Sequence, residues 1–507
     1  MKTASNPFPC RGSTRARLYR ALVLPGALAC LWAVMTVAVH AQSPGTVVAW
    51  GSNANGQTSA PVGLSGVKAI VAGQNFAIVP GALHTLVIKN DTTLAAWGRN
   101  SENQTTLPPG LVGVAAASVG NYHSLALQGI AAEAGFNPDA GGAISTVFAQ
   151  PDGKLIVGGG FDNVAGAARN NLARLNADGT LDAGFNPNPD YLITCAALQG
   201  DGKILIGGVF SNIGVSLQSY LARLNPDGTL DASFNPVLDY ILYSILVQAD
   251  GKIVIAGSFT MVGNAPRNHL ARLNADGSLD TTFNPNVVGD VFSAAMQADG
   301  KILIGGNFTT VGSAARNCVA RVNADGTVDS GFNPNADLDV QSVAVQADGK
   351  ILLGGSFSIV GGTARNRIAR LNAGGTIDAT FNPGTDGDVS TITVQTDGKI
   401  LIGGALTSAG GVTRNRIARF EADGSVDPVC NPSANDSVSG LALQADGKTL
   451  AGGLFTSVSG LPRQRLARLT NPTIPVKRTT STASIPTSPG GWRNGWKKNA
   501  PPDQAGH

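Results

Sequence analysis

The tripeptide Asp-Gly-Lys occurs seven times at an unvarying spacing, and nothing else in the chain restricts its fold as strongly. Its glycines, Gly153, Gly202, Gly251, Gly300, Gly349, Gly398 and Gly447, stand 49 residues apart. A fixed period of this length means a repeat architecture, in which each unit buries its apolar face against the next. The third unit runs from Ser244 to Pro285 and holds four short apolar runs, among them Ile253–Ala256 and Leu270–Leu273. Asp250-Gly251 and Asp276-Gly277 join the runs in pairs. Asp-Gly between apolar runs marks a tight hairpin, because the turn needs a positive φ that Gly adopts without steric cost. The runs are about five residues long and rich in β-branched side chains, too short for helices. Each unit is therefore a four-stranded antiparallel sheet, and a ring of such sheets is a β-propeller.

A second motif counts the blades and shows how the ring closes. Phe-Asn-Pro starts at Phe136, Phe185, Phe234, Phe283, Phe332 and Phe381, and Cys430 stands in for Phe in the last copy. The first copy precedes every Asp-Gly-Lys, and the last Asp-Gly-Lys is followed by none. The segment from Ala132 to Pro138 is thus expected to complete the seventh blade from the other end of the chain. An acid lies three residues before each Phe seat, at Asp182, Asp231, Asp280, Asp329, Asp378, Asp427 and, in the closing segment, Glu133. Each third strand carries an arginine, from Arg174 to Arg468, to face it. Read as exposed cross-strand pairs, these are worth about 0.2–1 kcal/mol each. The fold class is all-β: a seven-bladed β-propeller of four-stranded antiparallel blades, closed by an N-terminal strand, with a partial two-repeat β module before it.

The combination of Asp-Gly-Lys, the Gly-Gly that follows it (Gly207-Gly208, Gly305-Gly306), Ala-Arg-Leu-Asn and Phe-Asn-Pro resembles the delta-60 repeat of bacterial secreted proteins. The resemblance covers about 130–472 and implies a β-propeller of unknown function in an exported bacterial protein. The Gly-Gly pair alone is similar to kelch repeats, whose remaining pattern is missing. Residues 42–129 hold a different repeat. Val48-Ala-Trp-Gly-Ser-Asn returns as Ala95-Ala-Trp-Gly-Arg-Asn, and Gly81-Ala-Leu-His84 as Gly120-Asn-Tyr-His123. This resembles the regulator of chromosome condensation repeat, also a propeller blade. Two copies cannot close a ring, so a partial module packed against the main propeller is expected. His84 and His123 read as blade-packing histidines within it.

The ends differ from the middle. Lys2, Arg11, Arg15, Arg17 and Arg20 precede an apolar run, Ala21–Val39, and Val39-His40-Ala41 offers a cleavage site, so 1–41 reads as a signal peptide. Pro25-Gly26 and the short span argue against a retained anchor. The segment 473–507 is rich in Thr, Ser, Pro and basic residues without periodicity and reads as a disordered tail. Trp492 and Trp496 lie among its basic residues. The formal charge of +3 is carried by these ends, which leaves a mildly acidic ring. Such a ring has no electrostatic footprint for nucleic acid. Cys195, Cys318 and Cys430 occupy three different seats of the repeat and form no disulfide framework.

Two places are candidates for chemistry. Asn176-Ala-Asp178-Gly179-Thr-Leu-Asp182 has the oxygen spacing of a calcium loop, but Arg174 at the first-ligand seat opposes a cation. No cofactor is expected, with calcium the one alternative. The other candidate is the face where the loops from strand four to the next blade meet those from strand two to strand three. It gathers Asp190, Tyr191, Asp239, Tyr240 and Tyr243, with Arg267 and Arg316 in the second loop set. Acids beside aromatic faces suit a sugar or a peptide. The acids follow the repeat and none is singular, which speaks against catalysis. The expectation is an exported, monomeric, non-catalytic binding or interaction module for an extracellular glycan or protein, with no membrane span after signal cleavage. Two other readings stand beside it: an exported glycan-active enzyme, and a truncated or recombined gene product without a specific activity.

Overall fold

The computed structural model describes residues 47–470 except 50–52, 63, 73–83, 90–92, 102, 109–110, 112–113, 120–123 and 129–130. The signal peptide, the basic tail and His123 lie outside the described residues. Each Asp-Gly-Lys unit folds into three hydrogen-bonded strands. In the third blade, Leu242–Val247, Ile253–Gly257 and Leu270–Leu273 lie side by side and antiparallel. The fourth run is present as a single β-bridge from Leu273 to Leu279. It ends there because the Asp280 carboxylate accepts from the Thr282 backbone N–H at 3.1 Å and hydroxyl at 2.6 Å, which curls the chain off the sheet.

The first strands of successive blades lie against one another round the whole ring, Val438–Leu443 meeting Ala143–Ala149 at the junction of last and first. Hydroxyls stitch several of these junctions: Ser244 Oγ accepts from Ala294 N at 3.3 Å, Ser293 from Val343 at 3.1 Å and Ser342 from Ile392 at 3.2 Å. In the seventh blade the fourth strand is a two-residue ladder supplied from the other end of the ring. Ala131–Ala132 pairs with Leu466–Thr470, Ala132 opposite Leu469, as the motif count requires.

Each layer of core is shared. The cluster around Phe259 and Ile255 takes Leu205 and Leu221 from the blade before, and it takes Phe234 from that blade's Phe-Asn-Pro. The Phe-Asn-Pro ring is therefore a wedge between blades. Gly277 shows why the second turn needs glycine twice over. Its φ is +93°, and a Cβ there would sit 2.7 Å from the Phe234 ring. Gly257, the second residue of the small pair after strand two, serves another purpose. A Cβ would lie 2.1 Å from the Ile241 carbonyl oxygen, where strand one bulges against strand two.

All seven expected arginine–acid pairs form. Arg272 Nε lies 2.8 Å from Asp280 Oδ2, and the same pairing recurs from Arg174–Asp182 to Arg419–Asp427, with Arg468–Glu133 at the closure. The expectation that they are exposed is corrected: the side chains of Arg272 and Asp280 are 9% and 6% exposed. The third blade shows what buries them. The arginine Nη1 donates across the junction to the next blade's second turn, Arg272 to Ala324 O at 2.6 Å. Its guanidinium covers the Phe283 ring, 4.5 Å from the centroid. The lysine of Asp-Gly-Lys, Lys252, reaches the same carboxylate oxygen at 2.9 Å.

The N-terminal module contains a three-stranded sheet, Val67–Ala72, His84–Lys89 and Leu94–Gly98, and a hairpin, Val114–Val119 with Ser124–Gln128. Buried His84 links them, its Nε2 2.9 Å from Ser124 Oγ, and Trp97 Nε1 donates to Gln57 O at 2.9 Å. No helix among the described residues is long and apolar enough to cross a membrane.

Candidate functional site

The two loop sets do share one face, and the structure joins them. The loop after strand two folds as a small hairpin, Met261–Val262 with Ala265–Pro266, and the loop entering the blade bridges to it from Leu238 to Val262. The predicted acids make this joint. Asp239 accepts from Thr260 N at 2.8 Å, Met261 N at 3.0 Å and Thr260 Oγ1 at 2.5 Å. Asp190 accepts from Ser211 N, Asn212 N and Asn212 Nδ2 at 2.8, 3.1 and 2.8 Å. Burial pushes both carboxyls up, but these hydrogen bonds together outweigh it and hold them below the usual range. Asp337 and Asp386 clamp their own hairpins in the same way.

Arg267 and Arg316 are 8% and 7% exposed. Arg267 donates to the Pro266 and Thr281 carbonyls at 2.8 and 3.2 Å, and Arg316 to those of Ala315, Asp329 and Ser330. The structure therefore keeps these two away from the open rim, where they tie the hairpin to the outer edge of the blade.

The tyrosines divide. Tyr191 and Tyr240 stand on the rim, 62% and 52% exposed. Tyr243 is half-buried, its hydroxyl accepting from Ser258 Oγ at 3.3 Å and its ring meeting Phe292 edge-on at 5.6 Å. Beside Tyr240 lies a ring that sequence reasoning missed, Tyr220, with centroids 6.2 Å apart and planes at 38°.

Tyr220 belongs to a distinctive seat. One residue per blade, just before strand three, has left-handed backbone: Asn171, Tyr220, His269, Cys318, Arg367, Arg416 and Arg465, with φ between 61° and 66°. For anything but Gly or Asn this conformation is costly, and it persists where the surroundings impose it. The surroundings here are two hydrogen bonds, His269 N to Phe259 O and Gly257 N to His269 O in the third blade. The seat looks over the junction to the next blade. His269 Nδ1 is 3.4 Å from Asp290 Oδ1, and Arg367 Nε is 3.3 Å from Asp388 Oδ1. The irregular residue choice at this seat, against a background of strict repetition, is the signal in the sequence that marks it.

The calcium-like loop has its oxygens engaged by the chain. Asp178 Oδ1 accepts from Thr180 N and Oγ1 at 2.9 and 2.7 Å, and Asp182 Oδ2 holds Arg174 and Lys154 at 2.8 Å each. On the opposite face, a cavity of about 540 Å³ opens between the turns of the first two blades, and its Lys154 and Arg174 are the ones bound to Asp182.

Seven segments, 150–185, 199–234, 248–283, 297–332, 346–381, 395–428 and 444–471, match the family model described as "Domain of unknown function (DUF5122) beta-propeller". No curated protein matches the chain. Among solved structures it is similar to "Streptogramin B lyase structure", at 17% identity and a TM-score of 0.46, over 68% of this chain and 98% of that one. It is also similar to "Crystal structure of WD40 beta propeller domain of Doa1", at 15% identity and a TM-score of 0.47, over 67% and 96%. With one matched segment in every blade of a closed seven-bladed ring, the chain belongs to a β-propeller repeat family.

Proposed function

We propose that the protein is an exported, non-catalytic binding module whose loop-bearing rim takes a glycan. One observation carries this reading: Tyr240, half exposed on the rim, with the Tyr220 ring beside it and Tyr191 exposed one blade away. Large aromatic side chains left in water offer a flat apolar surface with a polar edge, and the apolar face of a pyranose ring covers such a surface well. They are also departures from the repeat, since the seat of Tyr191 and Tyr240 holds Gly289, Leu338, Gly387 and Asp436 in later blades. Neither ring carries the fold, so a ligand role explains their exposure where packing does not. The export reading rests on the basic and apolar segments at 1–41 and on the small-residue site at Val39-His40-Ala41.

The test is a glycan array probed with the purified chain, followed by titration of any hit. Saturable binding weakened at least tenfold by Tyr240→Ala, with an unchanged melting temperature, supports the reading. A blank array from a folded protein removes it and directs the search to protein partners.

A further inference from the structure

The rim breaks its seven-fold symmetry in charge as well as in aromatic content. At the junction after the fifth blade, Arg367 faces Asp388, and Asp386 clamps the neighbouring hairpin. One junction on, the same two acid seats hold Asn435 and Ser437. Asn435 keeps the clamp, because the clamp needs only an acceptor: its Oδ1 takes Thr456 N at 2.8 Å and Ser457 N at 3.0 Å. What the exchange removes is the negative charge of these two seats. Arg416, at the left-handed seat of this junction, donates to the Ala405 carbonyl, and no ion pair to it is found among the described residues. Asp436 of the same loop is exposed and accepts from Ser437 N at 2.6 Å. At the closing junction the two acid seats are Gly141 and Ala143, so Arg465 also lacks the acids that accompany Arg367.

A cavity of about 320 Å³ opens at the Arg416 junction, lined by Asn415, Arg416, Ser433, Asn435 and Ser457, with Ala434 and Gly460. That volume lies at the lower end of the ~300–1,000 Å³ usual for small-molecule sites. Its wall combines one guanidinium with amides and hydroxyls, and Ala434 and Gly460 are its residues without a polar side chain. Amides and hydroxyls both donate and accept, as sugar hydroxyls do, whereas a peptide side chain finds no apolar slot here. A guanidinium free of protein carboxylates recognises a ligand carboxylate with paired N–H donors.

We propose that this cavity is the carboxylate subsite of an acidic saccharide, with Arg416 pairing a uronate carboxylate and Asn415, Ser433 and Ser457 meeting its hydroxyls. The inference rests on the glycan reading and narrows it. The cationic junctions flank the first blade on one side and the tyrosine-bearing blades on the other, so the two features lie on one arc of the rim.

The experiment is calorimetric titration of the full-length chain with oligogalacturonate and, separately, with a neutral galacto-oligosaccharide of equal length. The acidic oligomer is expected to bind at least tenfold more tightly, with the difference shrinking as salt is raised. Arg416→Gln should erase that difference and leave neutral binding and the melting temperature unchanged. Ser437→Asp should do the same by a different route, since it restores the acid that faces Arg367 one junction earlier and leaves the Asn435 clamp in place. Equal binding of the two oligomers by the native chain, or a preference that survives both substitutions, overturns the subsite while the glycan reading stands. Binding of neither oligomer overturns the subsite and leaves the glycan reading to the array, and saturable Arg416-dependent binding of an acidic peptide in their place reassigns the cavity to a protein partner.

Discussion

Cys430 stands where six other units carry phenylalanine, and it is wholly buried. Burial pushes its thiol up to about 12, and that of Cys195 likewise to about 12. The thiolate is the reactive form, so both are inert in the native ring. Iodoacetamide at pH 8 should leave Cys195 and Cys430 unmodified over hours and label them at once in denaturant, as peptide mass mapping will show. Individual residues were also where the sequence was hardest to read. Asp190 and Asp239 look like ligand groups in the sequence, because a periodic acid in a loop reads the same whether it faces water or its own chain. What decides is the direction of two backbone N–H groups, Thr260 and Met261 for Asp239, and those depend on how the small hairpin folds. Tyr220 was overlooked for the opposite reason. Its seat varies from blade to blade, which marks the seat in the sequence, but only the fold places the Tyr220 ring beside Tyr240.

Within one blade, the Arg272–Asp280–Lys252 cluster is the element that binds sheet, turn and neighbour together. Replacing a buried partner leaves an uncompensated charge, so Asp280→Ala is expected to cost about 3–5 kcal/mol in equilibrium urea unfolding. Arg272→Met, which keeps much of the volume over Phe283, should cost less than Arg272→Ala if the stacking contributes. The cluster also sets the acid response. The Lys252 ammonium and then the Thr282 hydroxyl hold the Asp280 carboxyl far below its usual range, against the opposing effect of burial, and Lys203 and Ser233 do so for Asp231. A depressed native value means that the stabilisation is complete above the unfolded carboxylate value of about 3.9 and is lost as pH falls from there through the native values. Unfolding midpoints should therefore change little through this contribution between pH 7 and 5 and drop steeply below pH 4. The pairing itself was legible in the sequence, since acid and arginine keep one offset in every unit. Their burial was not, because it depends on Phe283 folding back over the guanidinium and on the next blade's turn, 52 residues on, closing over it.

The whole ring depends on one short segment. Ala131–Ala132 pairs with Leu466–Thr470, Glu133 takes Arg468, and Phe136 wedges beneath Gly179 of the first blade. Phe136→Ala, at a fully buried seat, should cost about 3–5 kcal/mol, and Glu133→Ala should destabilise less than Asp280→Ala, since the Glu133 side chain is 28% exposed. Deleting 131–138 should leave the seventh blade with an open sheet edge, seen as rapid limited proteolysis and concentration-dependent association by size-exclusion chromatography. The blade count, the closure and the all-β class were legible because they are properties of spacing, which survives substitution. The closure also imposes an order on biosynthesis. Glu133 and Arg468 are 335 residues apart, so a ribosome must deliver the entire ring before the two can meet. Until then the emerging protein is an arc with an unmatched edge at either end, exposed to chaperones and proteases for the time needed to translate the remaining blades. Of the ring's strands, the one made first is the last to find its partner.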